Sequence, residues 1–458
     1  MLKSLRIQNF KGWKDTGHIR LAPLTVIFGA NSAGKSSLGH LLLALKQTTR
    51  SNDNKRALHL GDDKSLIDLG TFRECLHNHD TTQPLQFQLE WQSKLKITNL
   101  LDKTSYQANG ITLEVEFCAT ENEQPHVTVL KYLLKNENQE VLTVSYKHPV
   151  DGKPDLETTP LKLVRYPGRV WPLDEVLKFY RLSDQSRSRF QNADFLVDLA
   201  FETEKTFENL QYLGPLREHP KRTYLWSGDT PENVGQKGEL TIAALLAAVG
   251  QGRMLNRGLR KEKSRFDKFI AGWLKDLGII HEFSVLPVAE GRKEYEVLVR
   301  THPKSSLVKI TDVGFGVSQV LPALIQAFYC EPNSTVWMEQ PEIHLHPQVQ
   351  AELADVFISA IQARENGRER NVQLIVESHS EHFLNRLQRR VAEGGISPED
   401  VAIYFCKRSV DRTELEPLCL NEFGEIENWP DNFFGDDMAD ISARTLAGLE
   451  KRNSQKSH

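Results

Sequence analysis

The 458-residue sequence predicts an α/β fold. Three observations carry that prediction. A glycine-rich loop lies between a short apolar strand and an amphipathic helix. Residues from about 330 to 410 alternate strand and helix. Residues from about 85 to 165 carry β-like runs separated by turn signals.

The loop is Gly29-Ala30-Asn31-Ser32-Ala33-Gly34-Lys35-Ser36, which fits G-x-x-x-x-G-K-[ST] at every fixed position. Leu24 to Phe28 reads as a buried strand. Ser37 onward, with Leu38, Leu41, Leu42 and Leu45, reads as a helix with one apolar face. Strand, loop and helix start together make a phosphate cradle, because unpaired backbone N–H groups and the positive end of the helix dipole face an anion. Gly29, Ala30, Asn31, Ser32, Ala33, Gly34, Lys35, Ser36 and Ser37 form the candidate binding set. Lys35 is placed to reach the β/γ-phosphates and Ser36 to ligate Mg²⁺. The implied ligands are a nucleoside triphosphate and Mg²⁺; the alternative is a glycine turn without a ligand.

Around this loop the chain divides into segments. Residues 1–84 read as the nucleotide lobe, opening with alternating strands at Leu5-Arg6-Ile7 and Ile19-Arg20-Leu21. Residues 85–210 read as a β-rich and helical insertion, with runs at Leu85 to Leu89, Ile111 to Phe117 and Val127 to Leu133. Asn109-Gly110 and Asp151-Gly152 mark its turns. Helical patterns cover about 185–210 and 238–277. Residues 211–330 lead to a glycine-containing segment, 331–410 form a second nucleotide lobe, and 411–458 a small C-terminal domain.

That second lobe holds the other candidate groups. Ser334 to Glu339 is a buried-strand pattern ending in an acid, and an acid at the end of a neighbouring strand helps hold Mg²⁺ in P-loop proteins. Glu339 is the candidate, followed by Gln340, Pro341 and Glu342. Leu374 to Glu377 is another strand, running into Ser378-His379-Ser380, where His379 can approach a γ-phosphate. His344 and His346 read as parts of a hydrogen-bonded turn, with a direct chemical role the alternative. Gly314, Gly316 and Ser318 sit where a helix begins, offering N–H groups to an anion. A P-loop acting within one chain does not need such a second anion site; a nucleotide held between two subunits does.

Composition excludes several classes. The 39% apolar share fits a soluble globular protein, and 458 residues exceed one compact core. Apolar runs such as Ile242 to Val249 fall short of the roughly 18 residues of a membrane span. The start, Met1 to Arg6, lacks the apolar core of a secretory signal. Five cysteines, scattered and without C-x-x-C spacing, point to a reducing cytoplasm rather than a disulfide framework or zinc ribbon. The net charge of -4 confines nucleic-acid contact to local patches. Three basic patches are present. Arg253, Arg257, Arg260 and Lys261 fall near one face if their region is helical; Arg217, Lys221 and Arg222 form a second; Arg386, Arg389 and Arg390 a third. The first could track phosphates and reads equally as a solvated face. Trp13, beside Lys11, is a packing residue or a contact to a base. Trp429, Phe433 and Phe434 anchor the tail or form a partner surface. Asp436, Asp437 and Asp440 lack the strand-end scaffold of a metal nuclease, and His77-Asn78-His79-Asp80 lacks a second ligand pair.

The order of these motifs resembles that of ABC-type ATPase heads of the SMC and RecF group, and more closely that of bacterial ATPases related to the overcoming-lysogenisation-defect proteins. Leu5 to Gly12 looks like the family's first strand, 29–36 like its Walker A, and Gly314 to Gln319 stands at its signature motif. Glu339 to Glu342 with Leu345-His346-Pro347 looks like its Walker B, and Glu377 to Glu381 like its switch-histidine segment. Tyr212 to Arg217 also looks like a family element. The tail from Gly424 resembles a small uncharacterised domain found on some of these ATPases. The resemblance implies a bilobed head with an antiparallel β layer and a helical lobe. It also implies a homodimer, or higher oligomer, closing around Mg·ATP, and a role beside a separately encoded nuclease or toxin effector in Septu-type and similar anti-phage systems. Two departures bear on turnover. Gln340 stands where the second, water-polarising glutamate is usual, and glutamine cannot accept a proton at neutral pH; hydrolysis is then slow, or Glu342 substitutes. Gly314 stands where many relatives carry serine, with Ser318 a replacement. Rival readings are a DNA-repair ATPase without an effector, a transporter's nucleotide-binding subunit, and a nucleotide-locked scaffold.

Overall fold

The computed structural model describes residues 1–149, 152–258, 261–430 and 446–447. Asp151, Arg260, Phe433, Phe434, Asp436, Asp437 and Asp440 lie outside the described residues.

A six-stranded sheet organises the molecule. Its order is Leu210–Leu213, Thr335–Glu339, Gln373–Glu377, Leu24–Gly29, Val401–Arg408, Thr413–Leu418. The first five strands pair in parallel, and the last turns back antiparallel. Parallel strands covered on both faces read as continuous apolar runs. Leu24–Gly29, Thr335–Glu339 and Gln373–Glu377 are buried along their whole lengths.

Each face of the sheet feeds a separate core. Ile27, Trp337, Ile375 and Tyr404 point into the first, with helices Lys35–Arg50 and Phe195–Glu208. Val26, Phe28, Val336, Met338, Val376 and Phe405 point into the second. That core also holds helices Thr241–Gly250, Phe266–Asp276, Phe315–Tyr329, Pro347–Gln362 and Glu381–Ala392. The period-2 alternation of strand side chains therefore divides one sheet between two lobes. Gly39 lets the first helix lie directly on the sheet: a Cβ there would stand 2.4 Å from Cε2 of Trp337.

An eight-stranded antiparallel sheet closes the first core. Its path runs Trp13–Asp15, Leu2–Phe10, Leu85–Thr98, Ser105–Ala119, Pro125–Asn136, Gln139–Lys147, Asp155–Thr159, with Ile19–Arg20 beside Leu2–Phe10. The β block read from the sequence is thus one sheet, continuous with the chain's first strand.

The basic stretch 253–268 is not one helical face. Turns and short strands at Met254–Asn256 and Ser264–Arg265 occupy most of it, because Gly252 and Gly258 take φ of 66° and 130°. Arg253 is buried, with its guanidinium on both carboxylate oxygens of Glu365 and on the Tyr329 carbonyl. Arg257 stacks on Trp273 and pairs with Asp276. In the other patches Lys221 pairs with Glu218, Arg222 with Asp312, Arg389 with Glu393, and Arg386 and Arg390 with Asp355. No helix among the described residues is long and apolar enough to cross a membrane. Cys75, Cys118, Cys330, Cys406 and Cys419 are all free.

Candidate nucleotide site

The site lies at the carboxyl ends of the parallel strands. Gly34, with φ of 96°, ends the loop and opens helix Lys35–Arg50 without any side-chain cap. No acid stands in the first turn, so the helix start offers open N–H groups. Gly29 cannot carry a side chain, since a Cβ would meet the Cys406 carbonyl oxygen at 2.3 Å. Ala30, Asn31 and Ser32 form the exposed rim, and Ala33 is buried beneath it, its carbonyl 2.9 Å from Cys406 Sγ. Ser37 Oγ donates to the Gly34 carbonyl at 2.6 Å and accepts from Trp13 Nε1 at 2.8 Å. Trp13 is fully buried and braces the loop from below.

Lys35 is buried, and its ammonium donates to the carbonyls of Gly29 at 2.8 Å and Ala30 at 2.9 Å. Burial holds it below the usual lysine range, opposed by the nearby charges of Glu377, Cys406, Glu342 and Glu339.

Two acids meet at adjacent strand ends: Glu339 and Glu377 are paired in register. Ser36 Oγ donates to Glu377 Oε2 at 2.7 Å, and Trp337 Nε1 to Glu377 Oε1 at 2.8 Å. Tyr212 donates to Glu339 Oε1 at 2.8 Å, with His40 Nε2 at 3.7 Å. These surroundings push the pair apart. Burial, and then the Glu339 charge, raises the Glu377 carboxyl. Burial also acts to raise Glu339, but the nearby His40 ring and the Tyr212 hydrogen bond outweigh it and leave that carboxyl lowered. The surroundings therefore favour negative charge on Glu339 over Glu377.

The turn after Glu339 is wound tightly. Gln340, with φ of 44°, donates its N–H to the Glu377 carbonyl at 2.9 Å. Glu342 is buried, its Oε1 accepting from Ser378 Oγ at 2.8 Å and from the His379 N–H at 2.7 Å. Burial raises its carboxyl. His344 sits at φ of 61°, and His346 Nδ1 caps helix Pro347–Gln362 by accepting from the Gln348 N–H. Burial and the Lys35 charge push His379 down to about 4, so its imidazole is neutral near pH 7.

Several polar atoms here are buried and have no partner within the protein: Glu342 Oε2, His379 Nε2, and Arg217 Nε and Nη1. Such atoms cost free energy unless a ligand or water meets them. Arg217, read from the sequence as part of a surface patch, is a buried guanidinium whose Nη2 donates to the Glu339 carbonyl at 3.2 Å. Glu377, Tyr212, His40 and Arg217 thus join the site. The signal available for them was the strand-end position of Glu377 and the Tyr212–Arg217 element.

The donor set fits Mg²⁺ and a triphosphate. Ser36, Glu339 and Glu377 offer hard oxygen ligands, and the open helix start, Lys35 and His379 offer donors to phosphate. The signature segment is not part of this cluster. Helix Phe315–Tyr329 packs on the opposite face of the sheet from the loop helix. Gly314 faces open space, Gly316 lies beside Leu345, and Ser318 is buried.

The C-terminal hairpin also reaches the loop. The Thr413 N–H donates to the Gly12 carbonyl at 2.7 Å, and a Cβ on Gly34 would come 3.0 Å from Thr413 Oγ1.

Residues 396–443, which include the hairpin, match a family described as a protein of unknown function (DUF3696). No curated protein matches the chain. Solved structures that resemble it include an SMC head bound to the C-terminal winged-helix domain of ScpA, at 11% identity and TM-score 0.40, covering 92% of this chain and 98% of that one. The SMC head domain from Thermotoga maritima gives 11% and 0.38, covering 91% and 99%. The head from Pyrococcus furiosus, bound to the C-terminal domain of ScpA, gives 10% and 0.37, covering 92% and 96%. Likenesses of this size add nothing to the reading of the site. The model described as AAA ATPase domain matches residues 1–165 and 258–384, well over half of the chain and including the loop and both acidic strand ends: the chain belongs to the AAA ATPase domain family.

Proposed function

We propose that the protein binds Mg·ATP at residues 29–37 and hydrolyses it slowly, as a switch in which two copies close on two nucleotides. The observation that carries the reading is the convergence of Lys35, Ser36, Glu339, Glu377 and His379 at one end of the parallel sheet, among buried donors without protein partners. Mg²⁺, when bound, would supply charge neutralisation of the phosphates. Lys35 and the loop N–H groups hold the triphosphate, Ser36 and Glu339 hold the metal, and His379 donates one N–H towards the γ-phosphate. Gln340 or Glu342 positions the attacking water.

Dimer closure is supported by the signature helix start. Gly314 and Gly316 lie across the sheet from the chain's own loop helix, with open space before Gly314. There they are suited to a nucleotide carried by a second copy. The motif resemblance extends the proposal to phage defence, with the closed dimer controlling a separately encoded nuclease or toxin effector. A nucleotide-locked scaffold without turnover is the second reading, favoured by Gln340. The paired state of the basic patches gives the DNA-repair reading no comparable support.

Lys35→Ala tests the core of the proposal. It should weaken ATP binding by at least about tenfold, the loss of a charge-assisted contact, and abolish ATP-dependent dimerisation measured by light scattering. Unchanged affinity would remove the loop from the mechanism; a wild-type protein that stays monomeric when saturated with ATP would remove the dimer. Co-purification with the product of the neighbouring gene tests the effector.

A further inference from the structure

Away from the nucleotide site, the antiparallel sheet carries a second cluster of ligand-type side chains. His126 lies on strand Pro125–Asn136, and His148 follows strand Gln139–Lys147 across the same hairpin, its N–H on the Thr128 carbonyl at 2.8 Å. The two half-buried rings face each other edge to face, with His126 Nε2 3.1 Å from His148 Nδ1. Glu175 approaches from a different part of the chain. Each of the three offers one ligand atom, and these atoms lie within 4.8 Å of one another; no other such group of three occurs among the described residues.

The spacing is informative. A tetrahedral zinc with Zn–N bonds of about 2.0–2.1 Å separates two ligand nitrogens by about 3.3–3.4 Å. The imidazole nitrogens already stand close to that separation, so a small opening of the pair admits the ion. Two imidazoles and one carboxylate suit zinc rather than Mg²⁺ or Ca²⁺.

The backbone holding Glu175 is fixed. Leu173 and Val176 on either side are buried, the Asp174 carbonyl accepts from Tyr146 at 3.3 Å, and the Asp174 N–H donates to Ser186 Oγ at 2.8 Å. Between Asp155–Thr159 and Asp184–Ser188 the chain has no regular helix or strand, and long connections of this kind are ordinarily mobile or functional. We propose that His126, His148 and Glu175 form a zinc site that fastens this connection to the hairpin. Zinc takes one nitrogen lone pair from each ring. The ring now donating in the N–H···N bond moves its proton to its other nitrogen, so both imidazoles stay neutral. Glu175 supplies the third ligand and the single negative charge, and water takes the fourth position.

Chelator-stripped full-length protein titrated with Zn²⁺ in a calorimeter should bind one ion tightly at this site, and Co²⁺ should give the visible absorption of a tetrahedral centre. His126→Ala and His148→Ala should each weaken that uptake by about 100-fold or more, and Glu175→Gln by about tenfold, with ATP affinity unchanged. Hydrogen exchange on the wild type needs no variant: zinc should protect 125–128, 148–149 and 173–176 together. Absence of zinc uptake, uptake unaltered in both histidine variants, or protection confined to residues 29–37 and 339–342 would overturn the proposal.

Discussion

Glu339 and Glu377 show how one residue's state depends on a neighbour far away in sequence. Glu377 is the more deeply enclosed acid, raised by burial and by the neighbouring Glu339, whose own carboxyl is held lower. A neutral isostere there removes a buried acid without removing a needed charge. Glu377→Gln should therefore leave the unliganded protein within about 1 kcal/mol of wild type, or more stable, as read by urea unfolding. A loss well beyond that would mean the carboxylate is charged in the fold. Gln340→Glu should raise the ATPase rate if water activation limits turnover; an unchanged or lower rate in purified protein counts against the role given to Gln340. The loop, Glu339 and His379 were legible in the sequence because each follows a short apolar strand within a few residues. Tyr212 and Arg217 were legible only as a segment without a role, and His40 and the Ser36–Glu377 contact were not legible at all. They depend on strand order, which no local pattern encodes, and Ser36 and Glu377 are 341 positions apart.

The loop helix Lys35–Arg50 is the element that links the site to the first core. Its Lys46 is almost wholly buried, donating to the last carbonyls of helix Phe195–Glu208, at Phe207 and Glu208. Cations at a helix C-terminus are favourable, yet burial lowers this ammonium to about 8, with Arg50 adding to the effect. The sign follows from linkage: between about 8 and the ordinary lysine value of about 10.4 the unfolded chain binds more protons than the native one. Wild type should therefore gain stability relative to Lys46→Met as pH rises from 8 to 10, read as the difference in melting temperature. A difference that stays flat would place the ammonium in a wetter setting than the fold describes. The same element scale explains one misreading. Residues 253–268 have the spacing of a basic helical stripe, but Gly252 and Gly258 break it, and Arg253 turns inward to Glu365. Arginine composition alone does not distinguish a solvated face from a buried ion pair.

At the scale of the molecule, one sheet serves two cores. Neither lobe can lose its packing without exposing an apolar face of strands that the other lobe needs. Differential scanning calorimetry should accordingly show the residues of both cores melting in one cooperative transition, with ATP and Mg²⁺ shifting it upward as a whole. Two well-separated transitions, only one of them moved by nucleotide, would show that the lobes are independent. Thr413 carries a consequence beyond stability. It is wedged between the first hairpin and Gly34, so the tail's antiparallel strand and the phosphate-facing turn share a bearing surface. Any displacement of that turn must lever the tail, and any grip on the tail must be felt where the anion would sit.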